Sequence, residues 1–473
     1  MGMNNMNTLF ELIKKADKGD PKAQWEAACR IVWDDPAEPI DPDWLERAVE
    51  YFKLAADQGY GDAMIDFGAI YVSGRGVAKN FKKAVYWYNK AAEILHPKAF
   101  RCLGYTFGYH NFSDGGYTDY KSAFSYFFKG AILNEQNCIY EIGDMYYYGR
   151  YVNIDQTFAF ELYRRSDDII DGDINDDSFA NVRLRIAEFG YKWGKSKKYP
   201  NIYRKYLQNA IEGFEYRLVS NKEYEFFMSD YRKAKKLMRE IEAGNTSYFA
   251  ESAYIKTNDI EFTDNEILNY PEPEYPIIEL EKLKIENPDI TFWDKIRSFN
   301  DALSAAESGD SDSMYDVALF CFTKYENNAN SREMITFSLY YYHKAIRYGR
   351  KSAAYNLGAI YSYGSGGVAI DRQKAFLLYR ISNNEPSQGE LGVYYARGEL
   401  VEQNYEIAFK YFARCALGRK NWSYGSLQNL ARMYREGIYV DIDKNFAEYC
   451  EKLGQSAEKE YKKNPTGKIA YRE

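Results

Sequence analysis

A loop that returns with the same flanks limits what this chain can fold into more than any other feature. The stretch GAIYVSGRGVAKNFKKAVYWYN begins at Gly68, and GAIYSYGSGGVAIDRQKAFLLYR begins at Gly358. Each has apolar residues at helical spacing, a glycine-containing turn, then a second run at helical spacing. This reads as two short amphipathic helices joined by a tight turn. The clearest unit runs from Ala63 to Lys98, and weaker copies begin near Ala99, Cys138, Ser313, Ser387 and Ser426. Landmark pairs recur at Leu103-Gly104, Ile142-Gly143, Leu391-Gly392 and Leu430-Ala431, with periods of 36 residues from Phe67 to Leu103 and 39 from Leu103 to Ile142. A period of that length predicts stacked helix pairs, each covering its neighbour's apolar face.

Each landmark has a structural reading. Gly74, Gly76, Gly364 and Gly366 suit a tight helix exit, where Gly tolerates backbone angles that other residues resist. Gly76→Val should then destabilise its unit. Ala84 and Ala375 allow close helix approach, and the pairs Trp87-Tyr88, Phe127-Phe128 and Tyr411-Phe412 offer one buried ring and one at the edge. Asp371 and Asp443 stand where an acidic side chain supports a helix start.

These residues resemble the Sel1-like repeat family, relatives of the tetratricopeptide helical repeats. The family pattern is matched by Phe67-Gly68, Tyr71, Gly74 to Val77, Lys83-Ala84 and Trp87-Tyr88. It is matched again by Leu357-Gly358, Tyr361, Gly364 to Val368, Lys374-Ala375 and Leu378-Tyr379. The resemblance covers roughly residues 40–215 and 313–450. It implies an all-α fold, a right-handed alpha-alpha superhelix of helix pairs, and an adaptor role in protein complexes.

The array is interrupted. LFELIKKADKGDPKA from Leu9 parallels FNDALSAAESGDSDS from Phe299, so two repeat arms are expected, each led by a capping helix. The expected organisation is a first arm at 1–216, a middle section at 217–312, a second arm at 313–450 and a charged tail at 451–473 that frays after its first turns. The middle section opens with a charged helix over Glu223–Ala243. Residues 244–290 then carry four prolines and 11 acidic against 3 basic residues, which disfavours a packed helix pair. That stretch reads as either a solvated linker or an acidic docking segment.

Composition excludes several functions. The net charge of −7, with no long basic run, argues against broad nucleic-acid binding. The six cysteines are far apart and only three histidines occur, at His96, His110 and His343. Reduced thiols in a cytoplasmic protein fit this better than a zinc cluster. No stretch of about 18 apolar residues suggests membrane insertion. The glycine loops lie between helices without a preceding strand, so they do not read as phosphate loops. No catalytic, metal or cofactor site is expected.

What remains is an unusual supply of aromatic residues, 47 Tyr and 28 Phe, which suits helix seams and binding faces alike. Tyr105, Tyr109, Tyr147, Tyr148, Tyr363 and Tyr394 are the candidate contacts for a protein or peptide partner. The alternative function is a hydrolase or small-ligand protein with its site between the arms.

Overall fold

The computed structural model describes residues 3–33, 42–109, 118–169, 179–192, 200–220, 228–243, 299–327, 332–418 and 423–463. All of the regular structure among them is helical. The chain divides into two compact units, Met1–Asp259 and Ile260–Glu473.

The first unit opens with α1 (Met3–Ala16) and continues in pairs: α2 (Pro21–Trp33) with α3 (Pro42–Asp57), and α4 (Gly61–Ser73) with α5 (Phe81–Glu93). Next come α6 (Pro97–Gly108) with α7 (Tyr120–Ile132), α8 (Gln136–Tyr148) with α9 (Gln156–Ile169), and α10 (Phe179–Lys192) with α11 (Pro200–Ser220). The unit closes with α12 (Met228–Glu242). In the second unit α13 (Phe299–Glu307) leads α14 (Ser311–Asn327) with α15 (Arg332–Arg347), and α16 (Ala353–Tyr363) with α17 (Arg372–Ser382). Then follow α18 (Glu385–Arg397) with α19 (Tyr405–Leu417), and α20 (Tyr424–Glu436) with α21 (Lys444–Lys463). Within a pair the two helices pack on each other, and each pair packs on the next.

The turn between paired helices is built the same way six times. Asn80, Asp119, Asp155, Asp371, Asn404 and Asp443 each begin the second helix, their side chains accepting from a backbone N–H three residues on at 2.9–3.0 Å. This satisfies a donor that the first helical turn leaves without a partner. The N–H of each cap residue also donates back to the carbonyl of the landmark aromatic in the first helix: Tyr71, Phe107, Tyr146, Tyr361, Tyr395 or Tyr434. Gly74, Gly149, Gly364, Gly398 and Gly437 end the first helices with φ of 67–79°. Gly76 has φ 69°, but Tyr151, Leu400 and Tyr439 take the same backbone form two residues after their own exit glycines. Gly76 takes that form without the strain a side chain would bring, and a Cβ there would also stand 2.8 Å from the end of the Leu45 side chain.

A second use of glycine holds several of the pairs together. A Cβ on Gly68, Gly104, Gly143, Gly358 or Gly392 would lie within 3 Å of the ring of Tyr88, Phe127, Tyr163, Tyr379 or Phe412 respectively. Every one of those rings comes from the second helix of the same pair, and all five are buried. The glycine is a notch and the ring fills it. Phe127 and Phe128 are both buried, so that aromatic pair has no edge member.

Three boundaries differ from the sequence expectation. A full helix pair already stands at α2–α3, earlier than residue 40. The charged helix, α12, packs Ala234, Leu237 and Met238 into one core with Leu184, Leu207 and Phe214, so it is part of the first unit. The boundary at 450 falls inside a helix: α21 runs to Lys463, supported by the pairs Glu448–Lys452 and Glu458–Lys462 and by the ring contact of Tyr461 with Tyr424 at 5.7 Å. The acidic stretch 244–290, with its YPIIEL run, lies outside the described residues.

Two consequences can be measured. Gly104→Ala forces a methyl into the ring of Phe127 and should cost about 1–3 kcal/mol of stability. Adding Phe127→Leu should recover part of that loss in denaturant titrations. His343 is buried, with Nε2 3.5 Å from the Tyr361 hydroxyl. Burial first, then the charges of Arg347 and Lys374, push its pKa down to about 3. Between the ordinary histidine value and pH 3 the unfolded chain takes up a proton that the folded chain does not, so stability should fall as pH drops through that window. His343→Phe should weaken this acid dependence, followed by thermal unfolding across the pH range.

Candidate functional site

The notch fixes which way each first helix faces. A residue two positions before the notch glycine is turned by about 200° and points away from the paired helix. In the first unit this position holds Asp66, Cys102 and Glu141, and in the second Asn356 and Glu390; Glu26, Arg185, Asp316 and Asn429 stand likewise two residues before Ala28, Ala187, Ala318 and Ala431. A row of polar and ionisable groups thus lies along the side where successive first helices stand next to one another. Sequence reasoning missed this row. Its signal was a polar residue set directly before the apolar–small landmark pair, inside an otherwise apolar run.

Links across the row join neighbouring repeats. The Trp25 indole donates to Asp66 at 2.7 Å, and burial raises the pKa of Asp66. Lys98 pairs with Asp62 at 3.1 Å, and Arg101 with Glu135 at 3.2 Å. Asn356 donates to the hydroxyls of Tyr315 and Tyr342 at 3.1 and 3.3 Å.

The densest cluster is built on α6, α8 and α10. Tyr109 is 44% exposed, and its hydroxyl donates to the buried Glu141 at 2.6 Å. Arg150, just past the end of α8, donates to the same hydroxyl at 3.1 Å. Its guanidinium lies 4.7 Å from the ring centre of Tyr148, 5.7 Å from Tyr120 and 5.8 Å from Tyr109. Tyr148 is 43% exposed; its hydroxyl accepts from the buried Arg185 at 2.8 Å, and its ring meets Tyr147 edge-on at 4.7 Å. Arg185 is balanced by Asp144 at 3.6 Å and Glu188 at 3.2 Å; Tyr163 also donates to Asp144, and Lys233 of α12 pairs with Glu188 at 2.6 Å.

Four of the six candidate tyrosines therefore meet in this cluster, in two layers. Tyr109 and Tyr148 present surface. Tyr105 and Tyr147 are partly buried behind them, on Phe127 at 5.4 Å and Phe189 at 5.5 Å. Tyr363 of the second unit is 64% exposed. Tyr394 does not belong with these: it is 5% exposed, packs on Phe376 at 5.3 Å and donates to the Arg372 carbonyl, so its ring serves the core of its unit. Of the two candidate tyrosines in the second unit, Tyr363 alone is thus exposed.

Elsewhere, an open depression of about 860 Å³ is lined by Asp17, Asp43, Glu46, Arg47, Glu50 and Asp57 among others. Arg47 and the Tyr51 hydroxyl both bind Asp17 there, tying α1 to α3. Burial pushes the thiols of Cys321 and Cys415 up to about 12 and that of Cys102 to about 11, which keeps them in the weakly nucleophilic thiol form. No described helix is long and apolar enough to cross a membrane.

Comparison with known proteins follows this geometry. The Sel1 repeat family matches residues 21–60, 61–93, 137–166, 351–384, 386–417 and 426–450. The chain thus carries six Sel1 repeats, a repeat that generally serves as a scaffold for protein–protein interaction. Two solved structures are similar to it. One is c5321, a protective antigen of uropathogenic Escherichia coli strains with an SLR fold, at 20% identity, covering 98% of this chain and 93% of that one with a TM-score of 0.35. The other is a Sel1 repeat protein from Oxalobacter formigenes, at 17% identity, covering 77% and 88% with a TM-score of 0.31. No curated protein matches the chain.

Glu141 gives the site a measurable pH dependence. Desolvation is the largest influence and the Asp144 charge the next; together they outweigh the hydrogen bonds from Tyr109 and Tyr105 and raise its pKa to about 8. The unfolded chain releases this proton near the ordinary carboxylate value and the folded chain holds it longer. The stability it contributes is thus present in acid and lost as pH rises toward 8. Glu141→Gln keeps the shape and removes the titration, so it should stabilise the first unit above neutrality and flatten its stability between pH 5 and about 8. Denaturant titrations at several pH values check this.

Proposed function

We propose that this chain acts by stoichiometric binding of another protein, with the face of α6, α8 and α10 in the first unit as a principal contact. One observation carries the reading: the exposed rings of Tyr109 and Tyr148 are pinned at their hydroxyls and stacked about the guanidinium of Arg150. Tyrosine and arginine are the side chains that most often dominate interface energetics, above all where they are already ordered. Nothing has to be rearranged before such a surface is covered. The charges at this face and in the layer beneath it are mixed, with Arg150, Arg185 and Lys233 against Glu141, Asp144 and Glu188, which suits a protein or peptide better than a polyanion.

The test is capture from the native cell with the intact chain as bait. Wild type should retain a defined protein at reproducible stoichiometry. Tyr109→Ala with Tyr148→Ala should weaken its retention by about 100-fold or more, since a single hot-spot anchor contributes about 2 kcal/mol or more. Unfolding curves must first show that the double variant keeps its fold, because lost packing would imitate lost recognition. Undiminished retention by a folded double variant would move the contact elsewhere. Turnover of a defined small substrate with no retained protein would remove the reading.

A further inference from the structure

The second unit holds a near-copy of the Tyr109–Glu141 pair that lacks the cation over its tyrosine. Glu141 and Glu390 each stand two residues before a notch glycine, Gly143 and Gly392. Each accepts from a tyrosine five residues after the preceding notch: Tyr109 to Glu141 at 2.6 Å, and Tyr363 to Glu390 at 3.1 Å. Both helices then end alike. Gly149 and Gly398 have φ of 69° and 70°, and the next residue's N–H bonds to the carbonyl five residues back. That next residue is Arg150 in the first unit and Glu399 in the second.

The exchange reverses a charge where Arg150 stands over the Tyr109–Glu141 pair. Glu399 is occupied by Arg372 at 3.2 Å and Arg397 at 3.5 Å. Arg397 is close enough to act on Glu390 electrostatically, yet it is bound to Glu399. Among the described residues no Lys or Arg lies within ion-pair distance of Glu390, and none stands over the Tyr363 ring. Tyr363 is correspondingly the more exposed of the two tyrosines, 64% against 44%. Burial raises the pKa of Glu390.

We infer that Tyr363 and Glu390 form a receptor for one arginine side chain of a protein partner, in the place that Arg150 fills from within beside Tyr109 and Glu141. A guanidinium suits it better than an ammonium, because it can lay its plane on the tyrosine ring while directing N–H groups at the carboxylate and hydroxyl. This inference rests on the reading that the chain binds a protein, but it involves different residues in the other unit.

The test uses the full chain labelled with fluorotyrosine, the Tyr363 resonance being assigned by its absence from Tyr363→Phe. The probes are the capped pentapeptide Ala-Ala-Arg-Ala-Ala and its lysine and citrulline counterparts. The arginine peptide should shift the Tyr363 signal saturably with a Kd of about 1 mM, as expected for a single side-chain contact. The citrulline peptide should give no shift, and the lysine peptide should bind about fivefold more weakly. Glu390→Gln should weaken arginine binding about tenfold by removing the charged acceptor. Glu399→Arg, an exposed-turn change, should block the site by supplying the cation from within; it still tests the inference if Glu390→Gln fails to fold. The inference is overturned by equal binding of the citrulline or lysine peptide, by unchanged binding in both variants, or by no saturable shift up to about 20 mM arginine peptide. The Tyr109→Ala, Tyr148→Ala double variant should bind the arginine peptide as wild type does. A lost partner in that variant and a lost peptide site in Glu390→Gln therefore report on separate claims.

Discussion

Everything else in the structure depends on a ring set into a missing side chain. Glycine inside a helix costs about 1 kcal/mol relative to alanine, and five first helices accept that cost at their centre. In return a Tyr or Phe from the paired helix is buried against bare backbone, and burying an aromatic side chain contributes about 1.5–3 kcal/mol. In the pair α20–α21 both residues differ. There the notch position is Ala431, and the residue eight after the cap Asp443, where the other pairs carry their ring, is Glu451. Glu451 pairs with Arg435 at the surface.

Because the notch sets the rotation of the first helix, it also determines what the neighbouring surface can contain. The positions two before and five after the glycine are seven residues apart, two helical turns on one face. Glu141 and Tyr148 share that face on α8, as Glu390 and Arg397 do on α18. Polar groups there cannot reach the buried seam, and those of adjacent repeats come within hydrogen-bonding distance. Many of the cross-repeat links are therefore side-chain hydrogen bonds and ion pairs. Such links contribute modestly to stability where exposed and strongly to geometry where buried.

Much of the fold was legible in the sequence because helix pairing leaves a periodic mark: Leu103-Gly104 and Leu391-Gly392 recur whatever surrounds them. Asp371 and Asp443 could be read as helix starts because capping is a local interaction. The extent of α21 could not be read so easily, since its last turns depend on Tyr461 meeting Tyr424, a contact invisible in a charged run. The candidate site was legible only in part. Aromatic content picked out Tyr109 and Tyr148, but a tyrosine at a seam and a tyrosine on a face look alike in sequence. Tyr394 and Tyr363 show this: one packs on Phe376 and the other stands in the open. Glu141 and Arg185 passed unnoticed because single charges within apolar runs resemble ordinary helix surface until the notch shows which way they point.

The same geometry explains how exposed tyrosines can be ordered before anything binds them. A free surface side chain must give up rotamer freedom on association, and that loss opposes binding. Tyrosine has few rotatable bonds, and here even those are restrained, since the hydroxyls of Tyr109 and Tyr148 are anchored to groups buried between repeats. Those anchors are stiff because Glu141 and Arg185 sit where packing leaves little room to move. A buried polar network usually weakens a core, yet here its cost is offset by the order it imposes one layer above. The constraint thus passes from a glycine that admits a ring, to a carboxylate turned away from that ring, to a tyrosine whose face is fixed toward solvent.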